Sequence, residues 1–257
     1  MENKNIKVSV IMPVYNDELF IKETILSVLN QTHSNIELLI VDDCSSDKSI
    51  EIIKSFNDKR IKLFKNIENK GAAYSRNLAI ANATGDYVAF LDGDDRWHLD
   101  KVEKQLNFMI QNNYDFSYTK YENFSVKENK ISGKVTGPKI VTYRKFLRCD
   151  YIGCLTAMYK RDIIPNLQIP EDIKKRNDYA LWLLVSQKSP CYLLDEFLAF
   201  YSENPKGISK GSKFKLIKFH YHMFLSLFKC SKIKAHFYAM RNVFYYVLKK
   251  MRYCKKA

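Results

Sequence analysis

Residues 87–95 read Tyr-Val-Ala-Phe-Leu-Asp-Gly-Asp-Asp, a short apolar run that ends in three carboxylates around one glycine. A strand buried on both faces has this composition and is closed by a turn. Acidic side chains at the carboxyl end of such a strand lie where open α/β sheets bind ligands. Because neighbouring carboxylates repel one another, the stretch favours a divalent cation bound to a diphosphate. The alternative is a solvated acidic turn that caps the next helix.

The same order of strand, polar loop and helix occurs earlier in the chain. Residues 8–12 form a buried-type strand broken by Pro13, and residues 36–41 form another that ends in Asp42 and Asp43. Alternating strands and helices are typical of right-handed βαβ units, which build a mainly parallel α/β sheet flanked by helices. The acidic strand ends are therefore expected at one edge of the sheet.

Helix boundaries follow from the capping residues. Asn16 or Asp17 is expected to cap the helix after the first strand. Gly71 is expected to begin a later helix and Gly85 to end it. A further helix is expected over residues 99–112, where apolar residues recur on one face.

The usual glycine-rich phosphate loops are missing from the sequence. No Gly-x-Gly-x-x-Gly follows the first strand, and no Gly-x-x-x-x-Gly-Lys-Ser/Thr occurs. A diphosphate would therefore be held by a metal ion and basic side chains, which agrees with the acidic turn at 92–95.

Composition indicates a globular protein with an ample core, since 46% of the 257 residues are hydrophobic and 27% are charged. The six cysteines form no Cys-x-x-Cys pair. Residues 1–7 are polar and run straight into a strand, so no targeting leader is expected. We therefore expect reduced thiols in a cytosol-facing protein. No stretch approaches the roughly 18 apolar residues that a spanning helix needs.

The net charge of +14 is concentrated at one end of the sequence. Residues 206–257 contain 14 Lys or Arg and no Asp or Glu, so residues 1–205 are electrically balanced. This asymmetry predicts a neutral body carrying a basic, aromatic-rich extension.

Four motifs follow one another along residues 8–95. They are Val-Ser-Val-Ile-Met-Pro-Val-Tyr-Asn at 8–16, Val-Asp-Asp-Cys-Ser-Ser-Asp at 41–47, Lys-Gly-Ala-Ala-Tyr-Ser-Arg-Asn at 70–77 and Leu-Asp-Gly-Asp-Asp at 91–95. In this order they resemble family 2 glycosyltransferases of the bacterial surface-polysaccharide type, which have the Rossmann-like GT-A fold. The resemblance implies inverting transfer of one sugar from a nucleotide sugar, usually UDP-linked, to a saccharide or lipid-linked saccharide.

The resemblance also implies roles for individual residues. The nucleotide sugar would be bound by Pro13, Tyr15, Asn16, Asp43, Arg76, Asp92 and Gly93. Among these, Tyr15 would stack on the base and Asp43 would accept a hydrogen bond from the imide N–H of the base. Arg76 would lie near the nucleotide. Asp94 would ligate Mn²⁺ or Mg²⁺ directly, and Asp92 would contact the ribose or a metal-bound water. Asp95 would support this site or cap the following helix. Ordinary surface packing is the alternative for Tyr15 and Arg76.

Inversion by direct displacement needs one base on the face opposite the leaving group. Residues 174–184 resemble the family's acidic motif before a Trp-containing helix, which makes Asp178 the candidate base and Trp182 a wall of the acceptor pocket. The alternatives are a helix N-cap for Asp178 and a plain core position for Trp182. Many relatives have Glu-Asp where this chain has Asn177 and Asp178.

A second departure from the family pattern lies near residue 204. Asn204 stands where many relatives have a histidine that completes the metal shell, so either Asn204 or water would fill that place, or the metal is held more weakly. Lys206 and Lys210 are expected to be solvated more than to contact the diphosphate.

The expected organisation is a catalytic domain over 1–205, with a nucleotide-binding half at 1–112 and an acceptor-binding half at 113–205, followed by a helical extension over 206–257. In that extension Phe237, Met240, Phe244, Val247 and Met251 recur at helical spacing between lysines and arginines. Such a helix favours an anionic membrane surface, with packing on the domain as the alternative. Nucleic acid is not expected as a partner, because no nucleic-acid motif accompanies the charge.

The leading hypothesis is therefore a metal-dependent glycosyltransferase that is peripheral on the inner, cytoplasmic face of the cell membrane. The alternative is a non-catalytic membrane- or polyanion-binding protein on a degenerate transferase scaffold.

Overall fold

The first half of the chain is a parallel αβ unit. A computed structural model describes residues 5–203 and 213–256. The elements of this half are β1 (Val8–Val14), α1 (Ile21–Leu29), β2 (Ile36–Asp42), α2 (Ser49–Lys54), β3 (Ile61–Lys65), α3 (Ala72–Ala81) and β4 (Tyr87–Phe90). The strands lie in the order β4-β1-β2-β3 and all pair in parallel. The α/β class and the shared edge of the acidic strand ends are confirmed.

The second half completes the sheet with mostly antiparallel strands. Its elements are β5 (Arg96–Trp97), α4 (Lys101–Asn112), β6 (Phe116–Ser125), β7 (Lys130–Val135), β8 (Ile140–Val141), α5 (Tyr143–Phe146), β9 (Met158–Lys160), α6 (Asn177–Val185) and β10 (Cys191–Ser202). Strand β9 is antiparallel to both β4 and β6, whereas β10 runs parallel to β6. The sheet is thus parallel where the nucleotide-type motifs lie and mixed beyond them.

Residues 213–256 pack onto this sheet and extend it. They form α7 (Lys213–Phe228), α8 (Lys232–Tyr253) and β11 (Cys254–Lys256), and β11 pairs antiparallel with the edge strand β7. Met223 and Phe224 of α7 are fully buried, as are Ala235 and Ala239 of α8. The small alanines let α8 approach its neighbours closely, so one face of the extension belongs to the core.

The core lies on both faces of the sheet because residues of β1 alternate between them. Val8, Val10 and Met12 pack with α1 and α4, whereas Ile11 packs on the opposite face with Phe90 of β4. These buried strands carry acidic loops at their carboxyl ends, and the core therefore fixes where those loops begin.

Three local expectations were wrong. Strand β1 continues through Pro13 because β4 pairs only with Val8–Ile11, which leaves Pro13 beyond the two-sided part of the sheet. Phe20, not Asn16 or Asp17, holds the N-cap position of α1. Helix α3 ends at Ala81, and Gly85 instead allows close approach to β1, where an added Cβ would lie 2.7 Å from the Ser9 nitrogen.

A buried carboxylate joins β2 to its neighbours at the end of the sheet where β1 begins. Glu37 is 3% exposed and accepts hydrogen bonds from the Ser9 hydroxyl, the Thr84 amide and the Lys62 ammonium, at 2.6, 2.6 and 2.7 Å. Burial opposes ionisation, but these donors and Lys7 outweigh it and hold the Glu37 pKa well below its ordinary value of 4.5.

Glu37→Gln is expected to lower the free energy of unfolding at pH 7 by about 2 kcal/mol, since Lys62 and Lys7 are partly solvated. Because the folded pKa is depressed, the carboxylate stabilises the protein fully above about pH 4.5, and this stabilisation is lost as the pH falls towards the folded value. Urea unfolding at several pH values measures both effects. The exposed Glu171→Gln is the control, and equal pH profiles for the native chain and Glu37→Gln would contradict the assignment.

Candidate active site

The candidate site lies at the carboxyl ends of β1, β2 and β4, where the order of the strands reverses between β1 and β4. This is the crevice in which open α/β sheets bind ligands. The loops after these three strands meet there with the first turn of α6.

The loop after β1 is tied to the loop after β2. Asn16 has a left-handed backbone (φ 56°), donates its amide to the Ser45 hydroxyl at 3.0 Å and accepts from the Ser46 amide at 2.9 Å. Tyr15, immediately before it, is 48% exposed. Asn16 therefore fixes the loop geometry and leaves the ring of Tyr15 accessible for stacking.

Asp43 organises the loop that leads into α3. Its Oδ1 accepts from the Asn66 amide group at 2.8 Å and from the Lys70 backbone at 2.9 Å, and its Oδ2 accepts from the Gly71 backbone at 2.7 Å. A carboxylate offers about four acceptor positions, so one position on Oδ2 is left for a ligand. The sequence pointed to a base-binding Asp43 but did not reveal this loop-holding function.

The acidic turn after β4 crowds four carboxyl groups. Asp17 lies against Gly93, where an added Cβ would come 2.5 Å from its Oδ2. Burial raises the pKa of Asp17 to about 7, and the charges of Asp94 and Asp92 add to the rise. Burial and the same two charges hold the pKa of Asp95 well above its usual range. The charges of Asp92 and Asp94 therefore act directly on the two buried carboxyl groups beside them.

Asp95 anchors the turn to the end of β10. Its Oδ1 accepts from the Ser202 amide at 2.9 Å, and the side chain is almost fully buried. The N-cap position of α4 is held by Asp100, so Asp95 supports the site and does not cap that helix. Asn204, Lys206 and Lys210 lie outside the described residues.

Arg76 connects the acidic turn with α6. Its guanidinium is buried, forms an ion pair with Asp92 and donates to the side-chain oxygen of Asn177, which is 101 residues away in the sequence. Burial opposes this charge, but Asp92, Cys154 and Asp178 outweigh it and raise the pKa of Arg76. Asn177 is therefore a hydrogen-bond partner that keeps Arg76 in place.

Asp178 lies in the first turn of α6 and is partly buried. The N-cap of α6 is Arg176, whose backbone is left-handed (φ 65°), so Asp178 is not the cap. A second carboxyl group, Asp150, interacts with it. Burial raises the pKa of Asp150 to about 7, Lys249 opposes the rise, and the charge of Asp178 adds to it.

Trp182 is a core residue and not a pocket wall. It is fully buried, with its ring centroid 5.1 Å from that of Phe90 and 5.7 Å from that of Phe116. Helix α6 turns this side chain into the core because its apolar residues cover all sides of the helix, which is the pattern of a buried helix.

The residues of the turn fit a hard divalent cation. In the described part of the chain no three His, Cys, Asp or Glu side chains form a ready cage. Mg²⁺ is commonly held by only one or two carboxylates together with substrate phosphates. Asp92 and Asp94 supply two carboxylates, and the charges of both add to the burial that raises the pKa values of Asp17 and Asp95.

Four contributors were missed at the sequence level: Asp17, Asn66, Asp150 and Cys154. Their contacts join residues far apart in the chain, such as Asn66 with Asp43 and Cys154 with Asp92. Only Asp17 carried a signal, namely its place directly after the 8–16 motif.

Comparison with known proteins gives a family match and close relatives. The family model described as Glycosyl transferase family 2 matches residues 9–166. One relative is a Bacillus subtilis protein provisionally named teichuronic acid biosynthesis glycosyltransferase TuaG, which is 38% identical to this chain. The match covers 91% of this chain and 94% of TuaG. The Escherichia coli UDP-Glc:alpha-D-GlcNAc-diphosphoundecaprenol beta-1,3-glucosyltransferase WfgD is 44% identical, covering 69% of each chain.

The fold also matches a solved structure. The crystal structure of S. aureus TarS residues 1–349 in complex with UDP-GlcNAc superposes with a TM-score of 0.69 at 20% identity. The match covers 90% of this chain and 69% of the other. At this identity the likeness shows the GT-A fold alone.

Proposed function

Because the chain belongs to glycosyl transferase family 2 and is a glycosyltransferase of bacterial surface-polysaccharide synthesis, we propose that it transfers one sugar from a UDP-linked donor, with inversion, to a saccharide or lipid-linked saccharide. The observation that carries this proposal is the contact of Arg76 with Asp92 and Asn177. It joins the acidic turn to the first turn of α6, which carries the candidate base Asp178.

The donor would lie across the ends of β1, β2 and β4. The exposed ring of Tyr15 suits stacking on a base, and Pro13 precedes it at the end of β1. Asp43 retains one acceptor position for an imide N–H. Support for uridine comes from WfgD, whose name gives UDP-Glc as donor, and from TarS, which was crystallised with UDP-GlcNAc.

Asp94 and Asp92 would hold Mn²⁺ or Mg²⁺ against the donor diphosphate, beside Gly93. The cation, when bound, would neutralise the charge that develops on the leaving diphosphate. Arg76 fixes the orientation of Asp92 through their ion pair. Because Gly93 has no side chain, Asp17 can pack directly against the turn.

Asp178 would act as the base. The bond between the sugar carbon and the diphosphate oxygen breaks, and its electron pair leaves with UDP. The acceptor oxygen forms the new bond on the opposite face of the sugar, and its proton passes to the Asp178 carboxylate. The charge of Asp178 contributes to the raised pKa of Arg76, so the candidate base lies close enough to interact with the guanidinium.

The acceptor would be carried by lipid at the inner face of the cell membrane. The name of WfgD gives a diphosphoundecaprenol-linked saccharide as its acceptor. No helix in residues 5–203 and 213–256 is long and apolar enough to cross a membrane. The partner surface would be an anionic membrane bound through residues 206–257, which contain no acidic residue.

Turnover of UDP-sugars by the full chain tests this proposal against the non-catalytic alternative. We expect UDP release that requires both Mn²⁺ or Mg²⁺ and a lipid-diphosphate-linked N-acetylglucosamine acceptor. A thermal-shift screen of donors selects the sugar, and nuclear magnetic resonance of the product gives its anomeric configuration. Binding of UDP without turnover on any acceptor would favour the alternative, and a retained configuration would exclude the direct displacement.

A further inference from the structure

Helix α8 exposes a continuous apolar stripe to solvent. The residues of this stripe are between 43% and 84% exposed and recur every three or four positions, with Leu248 directly after Val247: Ile233, Phe237, Met240, Phe244, Val247, Leu248 and Met251. With 3.6 residues per turn they fall on one face of the helix over its whole length. Soluble proteins rarely leave such a patch uncovered without a partner for it.

Contacts between α8 and the rest of the protein keep the stripe facing the solvent. Asn242 is buried and donates to the Tyr179 hydroxyl at 2.7 Å, and Lys249 donates to the Asp150 carbonyl at 2.8 Å. Arg241, at the border of the stripe beside Phe237, donates to the Leu147 carbonyl at 2.9 Å. Rotating α8 to bury the stripe would break all three contacts, so its exposure is a built feature of the fold.

Basic side chains flank the stripe on both sides. Helical geometry places Lys234 and Arg252 along one border and Lys232 and Lys250 beyond the other, and all four are exposed. No acidic residue occurs between residues 206 and 257. A partner with an anionic surface and an apolar interior would complement both the basic borders and the apolar stripe.

We propose that the stripe of α8 lies in the headgroup–acyl boundary of an anionic lipid bilayer, with the flanking lysines and arginines on the lipid phosphates. A second copy of the chain is the weaker occupant, because two such faces would bring their basic borders together. The helix would lie on the membrane, in keeping with the lack of a spanning segment among the described residues.

The inner contacts of α8 give the docked protein an orientation. They reach Leu147, Asp150 and Tyr179, and Tyr179 directly follows the candidate base Asp178. The bilayer would therefore lie on the acceptor side of the cleft, where a lipid-linked saccharide enters. This orientation rests on the proposed function, whereas the lipid binding itself does not.

Flotation of the full chain with vesicles tests the surface directly. Vesicles of phosphatidylcholine with phosphatidylglycerol are compared with phosphatidylcholine alone. Phe237→Ser combined with Phe244→Ser is expected to reduce the partition coefficient by about tenfold or more. Replacing Lys232, Lys234, Lys250 and Arg252 by Gln is expected to remove the preference for anionic vesicles, again by at least about tenfold.

Two controls keep failure of lipid binding distinct from failure of the proposed reaction. Val126→Ser, which removes an exposed apolar side chain from the turn between β6 and β7, should float like the native chain. Asp178→Asn should also float normally, while the Phe double variant should keep its turnover of a short-chain, water-soluble acceptor. Equal flotation of the native chain and the double variant would overturn the proposal. So would a concentration-dependent dimer that only the native chain forms, in the absence of lipid binding.

Discussion

Replacing Asp178 by Asn is expected to slow sugar transfer by about 10²- to 10⁴-fold, because an amide cannot take the acceptor's proton. The fold should persist, since the N-cap of α6 is Arg176 and the side chain of Asp178 is only partly buried. Single-turnover rates at saturating donor measure the effect, and thermal denaturation shows that the variant is folded. Donor affinity should change little, because the proposed partner of the Asp178 carboxylate is the acceptor hydroxyl and not the donor.

The matched control is Asp162→Asn, which removes an exposed carboxylate paired with Lys160 on the surface. Its rate should equal that of the native chain. A native rate in Asp178→Asn would place the base elsewhere. Asp150, which interacts with Asp178 and has a pKa raised to about 7, would be the next carboxyl group to replace.

Substituting Asp92 and Asp94 of the acidic turn separately is expected to give different effects on stability. Asp92→Asn leaves the buried guanidinium of Arg76 without its charged partner. We expect a loss of about 2 kcal/mol, less than for a fully buried pair because the Asp92 side chain is 36% exposed. Asp94→Asn removes a charge that raises the pKa values of Asp17 and Asp95, so it should leave stability equal or higher at pH 7.

Both substitutions should impair turnover, but for different reasons. Asp94→Asn should lower it by about 10²-fold or more, since a metal ligand contributes several kcal/mol of charge stabilisation, and should make residual activity insensitive to chelator. Release of UDP with and without chelator measures both properties, with the chelator-treated native chain as reference. Thermal denaturation with and without Mn²⁺ and UDP measures the stability and the metal binding of each variant. If Asp94→Asn were destabilised while Asp92→Asn kept the native stability, the two residues would have to exchange their assigned roles of metal ligand and ion-pair partner of Arg76.

The strands and the place of the site were predictable from the sequence because they depend on local patterns. Residues 36–41 and 87–91 are apolar runs too short for helices, and their acidic ends had to meet at one edge once the strands were parallel. The antiparallel pairing of β9 between β4 and β6 was not predictable. The residues of β9 are no more apolar than many other segments of the chain, so nothing in their sequence indicates which strands they pair with. Only the packing of the whole sheet selects β4 and β6 as the neighbours of β9.

Errors in the loops have a common physical cause. Asn16 and Asp17 have the chemistry of helix caps, but their backbone amides bind Ser45 in the neighbouring loop and Ser49 at the start of α2. Gly85 was expected to end a helix, yet it is required by close approach to β1. Local propensity describes what a residue can do, and contacts across the fold decide which of these options is used.

Within the site, motif matching located the acids but not the network that holds them. Nothing in the sequence links Arg76 to Asn177, and the pairing emerges only when α3 and α6 pack side by side. The core position of Trp182 was likewise not predictable, because it depends on residues that are distant in the sequence. Its neighbours Phe90 and Phe116 come from strands on other parts of the chain.

The pairing of β11 with β7 has a practical consequence for anyone who shortens this chain. Deleting residues 213–256 would remove more than a lipid-binding helix, because it would strip the outermost strand from the sheet and the cover from Tyr179. The uncovered edge of β7 would offer its unpaired amides and carbonyls to other molecules and promote aggregation. A truncated protein that precipitates would therefore say nothing about membranes. Point substitutions on the outer face of α8 are the appropriate variants for expression and assay.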